Sequence, residues 1–231
     1  MSKVYAISDL HLCISGAKPM EIFGNKWDNY LEKIKTDWQS KVNDDDIVLI
    51  AGDISWAMKL EEAQKDLAFF SELKGKKIII RGNHDYWWQS ISKVRNTLPE
   101  NVFAIQNDAI KIDNFIFTGT RGWTVPEKQF ASDEDKKIYD REIIRLEMAL
   151  KSAVSKKTNN EQIIAMIHYP PYNSKMVESD FTRLFEQYGV SKVIYGHLHS
   201  QYNCKLGATI NGVEYYLTSC DQVNNKLIEI Y

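Results

Sequence analysis

All five histidines of the sequence follow short hydrophobic runs, and four of them have aspartate, asparagine or glycine as close neighbours. They lie in the segments SDLH, RGNHD, IHYP and GHLH, where they are His11, His84, His168, His197 and His199. Asp53 follows another hydrophobic run, in the segment AGD. Imidazole and carboxylate groups together suit manganese, iron or zinc, so this set predicts a transition-metal site.

Two of these segments place a pair of candidate ligands two residues apart. Asp9 and His11 lie on either side of a leucine, and so do His197 and His199. In an extended chain both members of such a pair face the same side, while the leucine faces the core. The full set is too large for one tetrahedral zinc ion, so we expect Asp53 to bridge two ions about 3.5–4 Å apart.

The first third of the chain alternates between strand and helix patterns. Strands are predicted at Lys3 to Ser8, Asp46 to Ala51 and Lys76 to Ile80. Helical spacing of apolar residues separates them, at Asn25 to Gln39 and Trp56 to Leu73. This order implies parallel strands with right-handed crossovers. Ligands gather at the carboxyl ends of parallel strands, so the candidate residues are expected at one edge of the sheet.

The remainder of the chain predicts a second sheet. Strand-like pieces occupy Val102 to Gly119, and a charged helix with Ser132 as its N-cap runs to about Lys157. The tail, Tyr202 to Tyr231, predicts antiparallel strands with a hairpin turn at Asn211-Gly212. We therefore expect a single α/β domain over residues 1–231, with two packed, partly parallel sheets and helices outside.

Composition excludes several classes of function. The 231 residues carry a net charge of −2, without the basic excess that binding of a polymeric nucleic acid requires. No stretch approaches the ~18 apolar residues of a membrane span, and no signal segment is evident at the N-terminus. Three scattered cysteines indicate a reducing compartment, so a cytoplasmic protein is predicted. The sequence carries no signal for an oligomeric state.

The candidate residues also form an ordered series of motifs. In chain order these are Asp9-Leu10-His11, Gly52-Asp53, Gly82-Asn83-His84-Asp85, His168 and Gly196-His197-Leu198-His199. The series spans Asp9 to His199 and resembles the calcineurin-like metallophosphoesterase superfamily. The resemblance implies a four-layer α-β-β-α sandwich of two mixed sheets flanked by helices. It also implies a dinuclear metal-dependent phosphohydrolase that acts on a small-molecule phosphate monoester, diester or anhydride.

The same resemblance implies a role for each motif residue. One ion would be held by Asp9, His11 and His199, and the other by Asn83, His168 and His197. Asp53 and a shared hydroxide would bridge the two divalent ions, which would be Mn²⁺, Fe²⁺ or Fe³⁺, or Zn²⁺. His84 would act as an acid on the leaving oxygen or stabilise the transition state, and Asp85 is a candidate for orienting it.

The segment GDISWAM departs from one branch of the superfamily. Members that dephosphorylate serine and threonine of proteins carry an aspartate and an arginine where this chain has Trp56 and Ala57. The aspartate supports the catalytic histidine and the arginine binds phosphate. The departure argues against a protein phosphatase, and it means that His84 must find another partner.

Three residues near the motifs are candidates for substrate binding. Arg121, in GTRGW, follows a strand and could bind phosphate through its forked donors. Its spacing equally fits a surface arginine in a local salt bridge. Trp123 and Tyr169 could line the mouth of the site, although packing in the core or a loop also explains them.

Two other functions remain in consideration. A phosphoesterase-like scaffold that has lost catalysis would act by binding proteins, but loss of His84 or of ligands would be expected and all are present. A mononuclear iron oxygenase commonly uses two histidines and one carboxylate. The additional Asn83, His197, His199 and bridging Asp53 argue against it.

Overall fold

The computed structural model describes residues 2–14, 18–199 and 204–231, and within them the chain forms two β-sheets covered by helices. The first sheet consists of β1 (Val4–Ile7), β2 (Ile47–Ile50), β3 (Lys76–Ile79), β4 (Val102–Ala104) and β11 (Ile228–Glu229). Its spatial order is β11-β1-β2-β3-β4. Strands β1 to β4 are parallel, whereas β11 is antiparallel to β1.

The second sheet is also mixed. It consists of β5 (Asp108–Ile112), β6 (Phe115–Thr120), β7 (Gln162–Ile167), β8 (Val190–Tyr195), β9 (Gly207–Ile210) and β10 (Val213–Leu217). Its order is β5-β6-β7-β8-β10-β9. The four central strands are parallel, and β5 and β9 are antiparallel edge strands.

Helices cover the outer face of each sheet. The α-helices are α1 (Tyr30–Lys41), α2 (Leu60–Leu67), α3 (Ile91–Thr97), α4 (Asp133–Ser155) and α5 (Asp180–Gln187), and short 3₁₀ helices occupy Met20–Phe23, Asn25–Trp27 and Ala68–Glu72. Helices α1 to α3 pack on the first sheet, and α4 and α5 pack on the second. Among the described residues, every helix is too short or too polar to cross a lipid bilayer.

A third hydrophobic core lies between the two sheets, in addition to the two cores between helices and sheets. The two sheets packed face to face, with helices on both outer faces, form the predicted four-layer sandwich. Strand β1 shows how the sequence builds the third core. Val4 and Ala6 point into the core between the sheets, whereas Tyr5 and Ile7 point towards the helices. All four residues are buried, which is typical of parallel strands that are covered on both faces.

Several predicted elements are confirmed, and others begin or end elsewhere. Ser132 caps α4, accepting a hydrogen bond from the backbone N–H of Asp135 at 3.1 Å. The helix predicted from Trp56 begins only at Leu60 and continues after α2 as a 3₁₀ helix, and the helix predicted from Asn25 begins at Tyr30 after a 3₁₀ turn.

The tail was predicted only in part. The hairpin at Asn211-Gly212 joins β9 and β10, and both turn residues have positive φ. The last strand, β11, pairs antiparallel with β1 in the other sheet, and β10 also pairs parallel with β8, so the tail contributes to both sheets and its pairing is not purely antiparallel. The strand expected at Tyr202 to Leu206 lies partly outside the described residues.

Candidate metal centre

The predicted site residues lie in loops that follow the carboxyl ends of parallel strands in both sheets. Asp9, Asp53 and Asn83 follow β1, β2 and β3, whereas His168 and His197 follow β7 and β8. The backbone N–H of His197 donates to the carboxylate of Asp9 at 3.1 Å, which joins the two sets of loops. The candidate residues therefore meet at one edge of the sandwich, as the sequence predicted.

The backbone at this edge is bent into an unusual conformation. Left-handed φ values occur at Asp9 (56°), His11 (46°), Asp53 (51°) and His197 (70°). Such a conformation costs of order 1–3 kcal/mol for a residue with a side chain, and it often persists at functional sites. Asp9 and His11 therefore reach the site through bends, and the expectation that they do so from extended chain is wrong.

Two glycines allow the loops to approach the carboxylates closely. A Cβ atom at Gly82 would collide with the carboxylate of Asp53, and one at Gly196 would collide with that of Asp9. Any other residue at either position would displace a predicted ligand. The glycines in the G-N-H-D and G-H-x-H motifs thus have a steric reason to be present.

Asp9, His11 and His199 form a first group of candidate ligands. Their ligand atoms lie within 4.8 Å of one another. The Nδ1 atom of His199 is hydrogen-bonded to Asp221 at 3.0 Å, and its Nε2 atom faces Asp9 at 3.9 Å. A metal-binding histidine commonly donates its second ring N–H to a carboxylate, which holds the tautomer and orientation that ligation needs.

Asn83, His168 and His197 form a second group. The side-chain oxygen of Asn83 lies 2.7 Å from Nε2 of His168 and 2.9 Å from Nδ1 of His197. The other ring nitrogen of His168 is hydrogen-bonded to the carbonyl oxygen of Ala51 at 2.8 Å. Adjacent ligand atoms that share one ion at bond lengths of about 2.1 Å are about 3 Å apart, so this spacing fits a shared ion.

Asp53 lies between the two groups. Its Oδ1 atom accepts a hydrogen bond from the backbone N–H of His84 at 2.8 Å. Its Oδ2 atom is buried and has no hydrogen-bond partner among the described residues. That oxygen lies 3.8 Å from Nε2 of His11 in the first group and 3.4 Å from Nε2 of His168 in the second. One carboxylate oxygen is therefore available to both groups.

The electrostatics of the site favour positive charge. Burial lowers the pKa of His11 and of His197 to about 3, which keeps both rings neutral. Burial opposes the charged form of His168 as well, but the carboxylates of Asp53 and Asp9 raise the pKa of His168 to about 9. The negative charge of the two carboxylates thus attracts a proton, and a metal cation would displace that proton on binding.

Unsatisfied polar atoms give the clearest sign that this edge receives a ligand. In the described part of the chain, six buried side-chain atoms lack a hydrogen-bond partner, and four of them lie here. These four are Nδ1 of His11, Oδ2 of Asp53, Nε of Arg81 and Nδ1 of His84. Each such atom costs about 1–3 kcal/mol. Because the carboxylate, amide and imidazole donors also suit divalent transition metals, the residues fit bound metal ions.

His84 lies beside the candidate ligands but belongs to neither group. Its ring centroid is 5.6 Å from that of His11 and 4.6 Å from that of Trp56. The backbone of His84 is held by Asp53, whereas its ring nitrogen Nδ1 has no partner. The imidazole is thus placed by packing.

Asp85 does not make the contact that the sequence suggested. Its fully buried carboxylate accepts hydrogen bonds from the backbone N–H groups of Ile54, Ser55 and Gly82 and from the indole of Trp87, at 2.7–3.2 Å. None of these donors is the ring of His84. Asp85 instead ties the loop after β2 to the loop after β3.

The three predicted substrate-binding residues lie next to the second group. The ring of Tyr169 is 4.2 Å from that of His197 and 5.1 Å from that of Trp123. The guanidinium of Arg121 lies over Trp123, 4.9 Å from the ring centroid. The structure therefore brings Arg121, Trp123 and Tyr169 together along one side of the site.

The comparison with protein families agrees with this arrangement. The model of the calcineurin-like phosphoesterases matches residues 2–201. The chain belongs to the calcineurin-like phosphoesterase family. This family uses divalent metal ions, so the protein is a metal-dependent hydrolase of phosphoesters. No match was found among curated proteins.

Solved structures share the fold of this calcineurin-like phosphoesterase at low sequence identity. A phosphopantetheinyl hydrolase from Mycobacterium tuberculosis is 14% identical, with a TM-score of 0.59 and coverage of 99% of this chain and 95% of that one. A protein of unknown function from Aquifex aeolicus is 12% identical, with a TM-score of 0.53 and coverage of 99% and 96%. At these identities the likeness shows the fold alone.

Two residues of the phosphoesterase site were not assigned a role from the sequence. Trp56 stacks on the ring of His11, with centroids 4.8 Å apart, and Lys18 lies 4.9 Å from the centroid of the same indole. Asp221 holds His199. Asp221 follows β10 at the same edge as the other site residues, and this position is the one signal that the sequence offered for it.

Proposed function

We propose that this phosphoesterase hydrolyses small-molecule phosphate mono- or diesters with two divalent transition-metal ions, of manganese, iron or zinc. The observation that carries the proposal is the buried, unpartnered Oδ2 atom of Asp53 between two groups of candidate ligands. One group alone would support a single ion. A carboxylate oxygen available to both groups supports a pair.

The assignment of ligands follows the two groups. Asp9, His11 and His199 would hold one ion, and Asn83, His168 and His197 would hold the other, with Asp53 shared. Such a pair of cations neutralises phosphoryl oxygens and lowers the pKa of a water molecule held between them. Asp221 and the carbonyl of Ala51 hold the rings of His199 and His168 in the orientation that ligation needs.

His84 is proposed as the proton donor to the leaving oxygen. The imidazole lies 5.6 Å from the ring of His11 without belonging to either candidate group, and its Nδ1 atom has no hydrogen-bond partner among the described residues, so a nitrogen is available for this proton. Packing against Trp56 and His11 restricts the ring to this position. A positioned general acid of this kind typically contributes 10²–10⁴-fold to the rate.

Arg121, Trp123 and Tyr169 are proposed to bind the substrate on the side of the second group. The guanidinium of Arg121 is 21% exposed and makes no hydrogen bond to another described residue, so its donors are available to an anion. Tyr169 and Trp123 form an aromatic surface beneath it. We further propose that residues 1–231 act as a single domain, and the three cysteines scattered along the sequence support a reducing, cytoplasmic location.

The test is an assay of p-nitrophenyl phosphate and bis-p-nitrophenyl phosphate with the Mn²⁺-loaded protein. We expect about two metal equivalents per chain, activity on at least one substrate, loss of activity with chelator and recovery with Mn²⁺. His84→Asn should lower kcat by roughly 10²–10⁴-fold and leave the metal content unchanged.

Each part of the proposal has its own contrary result. One metal equivalent per chain would contradict the dinuclear site. Full activity of the His84→Asn protein would remove the assigned role of His84. A loaded protein that is inactive on mono- and diesters would favour the catalytically inactive scaffold.

A further inference from the structure

Two arginines beside the site lack acceptors for their side-chain N–H groups. In the described part of the chain, neither Arg81 nor Arg121 donates a side-chain hydrogen bond, and the buried Nε of Arg81 is without a partner. An arginine carries five N–H donors and stays charged in proteins. Partly buried donors of this kind are costly unless an acceptor arrives from outside the protein.

The nearest carboxylate to Arg121 is already engaged elsewhere. Glu142 is fully buried, and its two oxygens accept hydrogen bonds from Arg145 at 2.7 Å and from Thr120 at 3.0 Å. Arg121 lies 3.9 Å from Glu142, which is beyond hydrogen-bond distance. Its flat face rests on Trp123. This packing holds the guanidinium in place and leaves its edge donors unused.

Arg81 follows a strand of the first sheet and Arg121 follows a strand of the second, and their backbones approach each other where the two sheets meet. Arg81 directly precedes Gly82, and the carbonyl of Arg121 accepts hydrogen bonds from the backbone N–H groups of His168 and Tyr169 at 3.0 and 3.1 Å. Gly82 and His168 are close neighbours, because a Cβ atom on Gly52 would lie 2.8 Å from both.

The charges of the two side chains also influence each other. Burial lowers the pKa of Arg121, the carboxylate of Glu142 opposes this shift, and the positive charge of Arg81 adds to it as a smaller cause. Like charges held near each other in a partly buried position repel each other. An anion bound by both groups would remove this repulsion and satisfy their donors.

The phosphoryl group of a diester offers too few acceptors for all the cationic groups present. Its two non-bridging oxygens have about four lone-pair sites, like the two oxygens of a carboxylate, and under the proposed function two metal ions would occupy two of these sites. Two guanidinium groups that bind in the usual bidentate way need about four further acceptor positions. A second anionic group on the substrate provides them.

We infer that Arg81 and Arg121 together bind a second anionic group of the substrate, a phosphate separate from the phosphoryl group that is cleaved. This inference rests on the proposed function, since it specifies the substrates of the same site. The preferred substrates are then phosphoesters that carry a further phosphate, such as phosphorylated nucleotides, in preference to simple monoesters.

The test uses two substrates that differ by one phosphate. Thymidine 5′-(p-nitrophenyl phosphate) and its 3′-phosphorylated derivative release the same chromophore. We expect the Mn²⁺-loaded protein to have the higher kcat/KM for the derivative. Arg81→Met and Arg121→Met should each lower the ratio of the two kcat/KM values by about 10–100-fold, as expected for loss of charge-assisted hydrogen bonds.

Two further variants separate charge and geometry. Arg183→Met removes an exposed arginine of α5 that pairs with Asp180 at 3.0 Å, and it should leave the ratio unchanged. Arg81→Lys keeps the positive charge but loses the bidentate geometry of the guanidinium. The ratio of the two kcat/KM values for this variant should therefore lie between those of the wild type and Arg81→Met.

The inference is overturned if the wild-type protein does not favour the derivative, or if the arginine variants lose activity equally on both substrates. Equal losses would mean that the arginines act on the cleaved phosphoryl group or on the structure. Inactivity of the wild-type protein on both substrates contradicts the proposed function instead. Calorimetry then decides the inference: thymidine 3′,5′-bisphosphate must bind more tightly than thymidine 5′-monophosphate, and Arg81→Met must abolish the difference.

Discussion

The two ends of the sandwich contain similar polar residues, but the hydrogen bonding of these residues differs between the ends. At the amino ends of the parallel strands lies a cleft of about 850 Å³. Its lining is rich in acidic and amide side chains, including Asp45, Asp46, Asp113, Asn160 and Glu161. At the carboxyl ends lie the candidate metal ligands. By volume and acidity alone, the amino-end cleft would be a candidate for a functional site.

Hydrogen bonding distinguishes the two ends. At the amino end, Asp46 accepts the backbone N–H groups of Lys3 and Asn43, both at 2.8 Å. Glu161 accepts Lys111 at 2.5 Å and the backbone N–H of Asn159 at 2.8 Å. Within residues 2–14, 18–199 and 204–231, no residue that lines this cleft carries a buried unpartnered atom.

The carboxyl end has the opposite character. Oδ2 of Asp53, Nε of Arg81 and ring nitrogens of two histidines are buried and unpartnered there. The carboxylates at the amino end accept hydrogen bonds from the protein itself, whereas these four polar atoms at the carboxyl end have no partner among the described residues. Our proposal of a functional site therefore rests on unsatisfied donors and acceptors, and the volume of a cleft plays no part in it.

The largest effect should come from removing one acid group at each end. Asp53→Asn removes the charge of the carboxylate that is proposed to be shared by two ions at the carboxyl end, and it should lower phosphoesterase activity by roughly 10³-fold or more. Asp45→Asn, on an exposed residue that lines the amino-end cleft, should leave activity unchanged. Steady-state assays with Mn²⁺ measure both. Comparable losses in the two variants would erase the distinction between the ends.

A smaller effect is expected from changing Asp221, which is hydrogen-bonded to the candidate ligand His199. Asp221→Asn keeps a hydrogen-bond acceptor near Nδ1 of His199 but removes the charge that supports it. Affinity for Mn²⁺ should fall by about 10–100-fold, as measured by metal titration of the chelator-treated protein. Wild-type affinity in this variant would show that Asp221 has no part in metal binding.

Asp85 is a buried carboxylate at the carboxyl end whose hydrogen bonds come from within the protein. In Asp85→Asn, the NH₂ group of the amide faces a backbone N–H group whose hydrogen bond the carboxylate accepted. Because two donors cannot pair, the free energy of unfolding should fall by about 1–3 kcal/mol. Chemical denaturation of the metal-free protein measures this loss. An unchanged unfolding free energy would mean that the ties to Ile54 and Gly82 contribute no stability.

The smallest effect is expected at Glu161. Lys111 and the backbone N–H of Asn159 lower the pKa of Glu161. Its contribution to stability is therefore present above the ordinary pKa of glutamate and is lost as the pH falls through the folded-state value. Glu161→Gln should lower Tm by less than about 3 °C near pH 7, and by less still in acid, with activity unchanged. A Tm difference that grows in acid would reverse the assigned sign.

The sequence by itself determined which residue types form the candidate site and at which edge of the sheets they come together. The motif residues follow hydrophobic strands, and the carboxyl ends of parallel strands share one edge, so Asp9, Asp53, Asn83 and His168 were expected together. The four-layer architecture was available as well, since strands that are apolar on both faces require cover on both. These inferences depend on local patterns, which a linear sequence displays.

The tertiary structure alone decided which polar groups are satisfied. His199 meets Asp221, Asp9 meets Ser219 and β11 joins β1, and these pairings link segments that are distant along the chain. Asp85 contacts backbone N–H groups where a contact with His84 was expected, and the side chains of Arg81 and Arg121 have no hydrogen-bond acceptor in the described part of the chain. Whether a donor finds an acceptor depends on every segment that packs around it, so it is a property of the folded chain.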